Sequence, residues 1–131
     1  MKTDANVTLF SNYNMKNLLF LEPMNNQSLN DEIVTAVAFG CPNLILLELG
    51  SNYDNIFSVT DESVELITKK CKKLVHLCLT GLSQISAPMC FKIIDSLPEL
   101  KLLNLEYGPD LNQIQKKNLE RRSNNSLKLI A

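Results

Sequence analysis

The sequence predicts an α/β chain built from a repeated strand–helix unit. Three observations carry the prediction. Landmarks recur at a fixed shift: Asp31, Cys41, Leu44, Leu47 and Leu49 return 30 residues later as Asp61, Cys71, Leu74, Leu77 and Leu79. Each copy closes on the kernel L-x-x-L-x-L, whose last three positions alternate as a half-buried strand does. Between kernels lie helix-length stretches with periodic apolar residues and a capping residue in front.

Taken in order, residues 1–14 are read as an N-terminal segment whose order is left open, and residues 15–131 as the repeat domain. A weak first copy reads Met15-Lys16-Asn17-Leu18-Leu19-Phe20. A helix is predicted from Asp31 to Phe39, carrying Ile33, Val34, Ala36, Val37 and Ala38, with Asn30 as its cap. The kernel Leu44 to Leu49 follows. A second helix is predicted from Asp61 to Cys71, with Val64, Leu66 and Ile67 inward and Thr60 as cap, before the kernel Leu74 to Leu79. The third copy comes 26 residues on: Ser86 caps, Pro88 sits in the first turn, the helix runs to Leu97, and Leu100 to Leu105 is the kernel. A last helix over Asn112 to Arg121 leads to a weak kernel at Asn124-Asn125-Ser126-Leu127-Lys128-Leu129. Aspartate at helix starts and lysine near the ends suit the helix dipole.

A strand, turn and helix repeated every 24 to 30 residues predicts a leucine-rich-repeat solenoid of about four to five units. Its short parallel strands would line the concave face and its helices the convex face. The best unit runs from Val59-Thr60-Asp61-Glu62-Ser63-Val64 through Cys71-Lys72-Lys73-Leu74-Val75-His76-Leu77-Cys78-Leu79-Thr80-Gly81. It resembles the cysteine-containing leucine-rich repeats of F-box/leucine-rich-repeat proteins and of antagonist-of-mitotic-exit-network proteins. The resemblance covers roughly residues 15 to 130. It implies a non-catalytic protein-interaction module, with substrate or partner recognition as in the repeat domain of a ubiquitin-ligase receptor. The partners it implies are ligase components or a client. Alternatives are a structural subunit or assembly factor of a larger complex, and a cell-cycle regulator similar to the mitotic-exit antagonist. The position just after the strand holds Asn52, Leu82 and Gly108 where many family repeats carry Cys or Asn, and residues 1–27 lack the Leu-Pro start of an F-box.

Composition narrows the classes. The chain has 131 residues, enough for one domain with a real core. A net charge of −1 argues against a nucleic-acid partner, which would want a basic surface. No apolar run approaches a membrane span, and the first residues lack a signal or transit pattern, so the expected location is cytoplasmic or nuclear. Cys41, Cys71, Cys78 and Cys90 form no CxxC pair, and the chain has one histidine. That spacing argues against a structural zinc site, so neither a metal nor a cofactor is expected, and the thiols read as reduced, mostly buried groups. Three N-x-S/T sequons, at Asn6, Asn26 and Asn124, are about what 15 asparagines produce by chance.

Period-2 alternation places alternate kernel positions on the helix-free side of the sheet. The third-position row reads Asn17, Leu46, His76, Leu102; the fifth reads Leu19, Glu48, Cys78, Asn104; the next reads Leu21, Gly50, Thr80, Glu106. Leucines on an otherwise solvent-facing sheet, rimmed by His76, Glu48 and Glu106, suit a protein partner. The alternative is that flanking elements or a neighbouring chain cover them. The longer first spacing is filled by Ser51 to Phe57, a polar loop with Tyr53 as a candidate contact and Phe57 read as core. The candidate partner-binding residues are therefore Leu19, Leu46, Glu48, Tyr53, His76, Cys78, Thr80, Leu102, Asn104 and Glu106. Cys78 and His76, two apart on one strand, share a face, but nothing orients the imidazole and the site is an open sheet, so no catalysis is expected. Two basic clusters, Lys69, Lys70, Lys72, Lys73 and Lys116, Lys117, Arg121, Arg122, read as solvated helix faces.

Overall fold

The structure, a computed structural model, describes residues 29–50, 58–124 and 126–131 and, as a strand, residues 20–21. Its helices start where a short polar side chain can take an orphan amide. Helix α1 (Asp31–Gly40) is capped by Asn30, whose Oδ1 accepts from the Ile33 amide at 3.0 Å. Helix α2 (Asp61–Lys70) is capped by Thr60, whose Oγ1 accepts from the Glu62 amide at 3.4 Å. Helix α3 (Ala87–Ser96) has Ser86 as cap, accepting from the Met89 amide at 3.2 Å, and Pro88 in its first turn. Helix α4 (Gln113–Arg122) begins with a capping box: Asn112 Oδ1 accepts from the Gln115 amide at 2.8 Å, and Gln115 Oε1 accepts from the Asn112 amide at 2.9 Å. The first three caps are those the sequence predicts, and Asn112, read as the first residue of the last helix, is its cap instead.

The strands are β1 (Phe20–Leu21), β2 (Leu46–Gly50), β3 (His76–Thr80), β4 (Leu102–Asn104) and β5 (Lys128–Ile130). They form one open, all-parallel sheet in the order β1-β2-β3-β4-β5. Each neighbouring pair from β2 onward is joined through a helix, and consecutive helices pack side by side. The helices therefore share one face of the sheet. Leu47, Leu49, Leu77, Leu79, Leu103 and Leu105 point into that side and are buried with Ile33, Val37, Val64, Ile67, Ile93 and Leu119 from the helices. Each such aliphatic side chain contributes about 1.5–3 kcal/mol by leaving water.

The ends of α1, α2 and α3 repeat one device. The amides of Cys41, Cys71 and Leu97 bond back to the carbonyls of Val37, Ile67 and Ile93 at 2.9, 2.9 and 3.1 Å. Cys71 Sγ then reaches the Cys41 carbonyl at 3.5 Å, so the thiol ties the end of one helix to the end of the one before. Burial pushes the Cys71 thiol up to about 12, with a smaller contribution from Cys41. It behaves as a small apolar group with a weak donor.

The helix starts repeat a second device. The Asp31 carboxylate accepts from the Thr60 amide at 2.8 Å, from Thr60 Oγ1 at 2.7 Å and from Ser63 Oγ at 2.5 Å. Asp61 does the same to the next cap, accepting from the Ser86 amide at 2.8 Å and from Ser86 Oγ. Each aspartate opens one helix and clasps the cap of the next. The reading of these residues as dipole partners alone therefore captures only part of their role.

Register corrects both ends of the repeat reading. Phe20 pairs with Leu46 and Leu21 with Leu47, so Phe20 holds the third position and Leu21 the fourth, one on the buried side, rather than a place in the row of Gly50 and Thr80. At the other end Leu103 pairs with Leu129, so Leu129 takes the fourth position rather than Leu127. The first stretch is apolar at every position from Leu18 to Leu21 and fits more than one register, whereas Leu127-Lys128-Leu129 alternates and a shift of two keeps the same residues on the same face. The N-terminal segment 1–14 lies outside the described residues. Among the described residues, no helix is long and apolar enough to cross a membrane.

Candidate functional site

The candidate surface is the side of the sheet that carries no helices. Strand pairing sets its rows. Leu46 stands opposite His76, His76 opposite Leu102, and Leu102 opposite Lys128. Leu46, His76 and Leu102 are half-buried, and Lys128 is exposed. The next row is Glu48, Cys78, Asn104 and Ile130, and beyond it Gly50 stands opposite Thr80. Asn104 Oδ1 accepts from the Glu106 amide at 3.0 Å, and the Glu106 carbonyl accepts from the Gly81 amide at 2.9 Å. Eight of the ten candidate residues thus fall on or beside one surface, and the other two, Leu19 and Tyr53, lie outside the described residues, as does Phe57.

Gly50 shows why that surface is closely spaced at its edge. Its φ is +76°, and a Cβ there would sit 2.1 Å from the Thr80 carbonyl oxygen. Only glycine lets β2 and β3 approach in this conformation.

Cys78 departs from the expected solvent-facing side chain: its residue is only 9% exposed. A thiol is short, and its neighbours are larger. Glu48 and Asn104 flank it across the strands, and His76 lies on the same strand with Nε2 at 3.3 Å from Cys78 Sγ. The donor atoms of Glu48, His76 and Cys78 all lie within 4.8 Å of one another. Burial and the Glu48 carboxylate push the Cys78 thiol up to about 11. A thiol so placed stays protonated near neutral pH, which is opposite to what a nucleophilic cysteine needs.

The sequence places Glu48 and Cys78 in one row and His76 on the same face, but the grounds against a metal there are cysteine spacing and the single histidine. The signal those grounds miss is the cross-strand juxtaposition of three different donor types.

The basic clusters make local contacts. Lys72 Nζ donates to the Ser96 carbonyl at 2.9 Å, and Lys73 Nζ donates to Asn43 Oδ1 at 2.8 Å. Arg122 forms a two-pronged pair with Asp95 and stacks over Phe91 at 5.5 Å. Lys70 lies 5.2 Å over the exposed Phe39 ring. Lys72 and Lys73 lie in the turn after α2 rather than on a helix face, so only Lys69 and Lys70 of the first cluster are helical. Comparison with protein-family models and with curated proteins returns no match for this chain.

Proposed function

We propose that the chain is a leucine-rich-repeat type of protein-interaction module that binds a protein partner on its helix-free sheet surface and catalyses no reaction. The observation that carries the reading is the in-register row Leu46, His76, Leu102, apolar on both sides of one imidazole and only half-buried. Such a row offers an apolar centre, and Glu48, Glu106 and Lys128 supply a polar rim, which is the anatomy of a protein interface. The raised Cys78 thiol favours binding over nucleophilic chemistry. The finer form of the proposal is partner or substrate recognition like that of a ubiquitin-ligase receptor, acting in the cytoplasm or nucleus.

The test is affinity capture with mass spectrometry, comparing the wild-type chain with Leu46→Glu/Leu102→Glu. Ligase components together with a client that is lost in the double variant would support the receptor reading. A stoichiometric complex that survives the substitutions would overturn the assignment of the sheet surface and favour a structural subunit. An edge would then be the contact, because β5 pairs only with β4 among the described residues and leaves one side of its backbone open.

A further inference from the structure

We infer that Glu48, His76 and Cys78 form a site for one divalent transition-metal ion of the Zn²⁺ class, with a coordination position left open on the helix-free side of the sheet. β2 supplies the carboxylate, and β3 supplies the imidazole and the thiol from positions two apart. Register sets Glu48 directly against Cys78, and their donor atoms and that of His76 lie within 4.8 Å. Carboxylate, imidazole and thiolate are each ligands of zinc, and three protein ligands with one open position is a common zinc arrangement.

The distances suit the ion. With Zn–S of about 2.3 Å and Zn–N of about 2.0–2.1 Å, the S–N edge of a tetrahedral site is about 3.5 Å. The Cys78–His76 edge is already 3.3 Å. The longest separation, at most 4.8 Å, has to shorten by no more than about 1.2–1.4 Å to reach the corresponding edge, a movement open to the half-buried Glu48 side chain. Sulfur and imidazole select against Mg²⁺ and Ca²⁺, which take oxygen ligands. Coordination releases the Cys78 thiol proton to the buffer, and the ion's charge then offsets the repulsion between the Glu48 carboxylate and the thiolate. Leu46 and Leu102 stand on either side of His76 in the register.

The chain offers selective readouts. His76 is its one histidine, and Cys41, Cys71 and Cys90 are fully buried. The experiment titrates Co²⁺ into the full, reduced chain in a non-chelating buffer and follows the thiolate-to-cobalt charge-transfer band. Zn²⁺ is then added as competitor. The expected result is a band that saturates at one equivalent, is displaced by Zn²⁺, is lost in Cys78→Ser and needs at least about tenfold more Co²⁺ in Glu48→Gln. A band that persists in Cys78→Ser overturns the site. A second measurement uses the wild-type chain alone: the single imidazole resonance must shift or broaden as one equivalent of Zn²⁺ is added, and an unmoved resonance overturns the site whatever the variants do. Only the chain and the ion are needed, so failure here leaves the protein-partner reading standing.

Discussion

Replacing Asp31 with alanine isolates the clasp between the first two helices. The substitution removes the acceptor of three hydrogen bonds, from the Thr60 amide, Thr60 Oγ1 and Ser63 Oγ. Ser63 is completely buried. Stranding a buried hydroxyl costs about 1–3 kcal/mol, and the two half-exposed Thr60 donors, which regain water in part, add about 0.5–1 kcal/mol each. The expected loss is about 3 kcal/mol, or roughly 10 °C in Tm for a domain of this size. Thermal unfolding by circular dichroism reads it. Asp31→Asn keeps an oxygen acceptor and loses the charge, so its effect is expected to be smaller. A cycle with Ser63→Ala should give a coupling of about 1–2 kcal/mol. A Tm change below about 2 °C, or strict additivity with Ser63→Ala, would refute the clasp.

The same carboxylate fixes a pH dependence. Burial raises its pKa, but the hydrogen bonds from Ser63 and Thr60 outweigh burial and leave it below its ordinary 3.8. The unfolded chain then binds the proton more readily than the folded one, so the clasp contributes fully above that ordinary value. The contribution is lost as pH falls through the lower folded value. The advantage of wild type over Asp31→Asn should therefore be constant near neutrality and shrink below about pH 3.8.

Three further outcomes are expected. Gly50→Ala should destabilise by about 2–3 kcal/mol in denaturant unfolding, because a positive φ and a contact 2.1 Å from the Thr80 carbonyl oxygen act together; an unchanged midpoint would mean that β2 and β3 separate freely. Tyr107 holds φ +56° and is 72% exposed as a residue, so Tyr107→Gly should raise stability by about 0.5–1 kcal/mol, and a loss would show that the side chain makes a contact worth more than the strain. Under native conditions a thiol reagent should reach Cys78 first, with Cys41, Cys71 and Cys90 labelled only on unfolding, since those three are fully buried and their thiols are pushed up to about 11, 12 and 12. Peptide mapping of the labelled chain decides it.

The middle of the fold was legible because its units carry redundant signals. Asn30, Thr60, Ser86 and Asn112 mark helix starts, and Leu47, Leu49, Leu77 and Leu79 fix which strand face is buried. At the ends that redundancy is gone. The run Leu18 to Leu21 is apolar at every position, so alternation cannot choose a register, and hydrogen bonding to β2 chooses it instead. The rows of the sheet surface followed from period two, yet the burial of Cys78 did not, because it depends on how far Glu48, His76 and Asn104 extend over a short thiol. The clasps were hidden for a different reason. Asp31 and Asp61 also suit a helix dipole, and that local reading was sufficient without a partner some 30 residues away.

The clasp stops where α3 begins with alanine. Ala87 has nothing to offer the next cap, and the Asn112 amide turns inward to Gln115 of its own helix. What joins α4 to α3 is instead the core contact of Leu119 with, on the surface, Arg122, which stacks on Phe91 and pairs with Asp95, the two charged side chains being 52% and 44% exposed. An ion pair of that kind adds at most about 1 kcal/mol and weakens with salt. The chain is therefore not one cooperative block of equal bonds but a row with a perforation near its last third. Under mild denaturant the amides of α4 and β5 should exchange with deuterium before those of α1 and α2, and higher salt should widen that gap by loosening the final leaf alone.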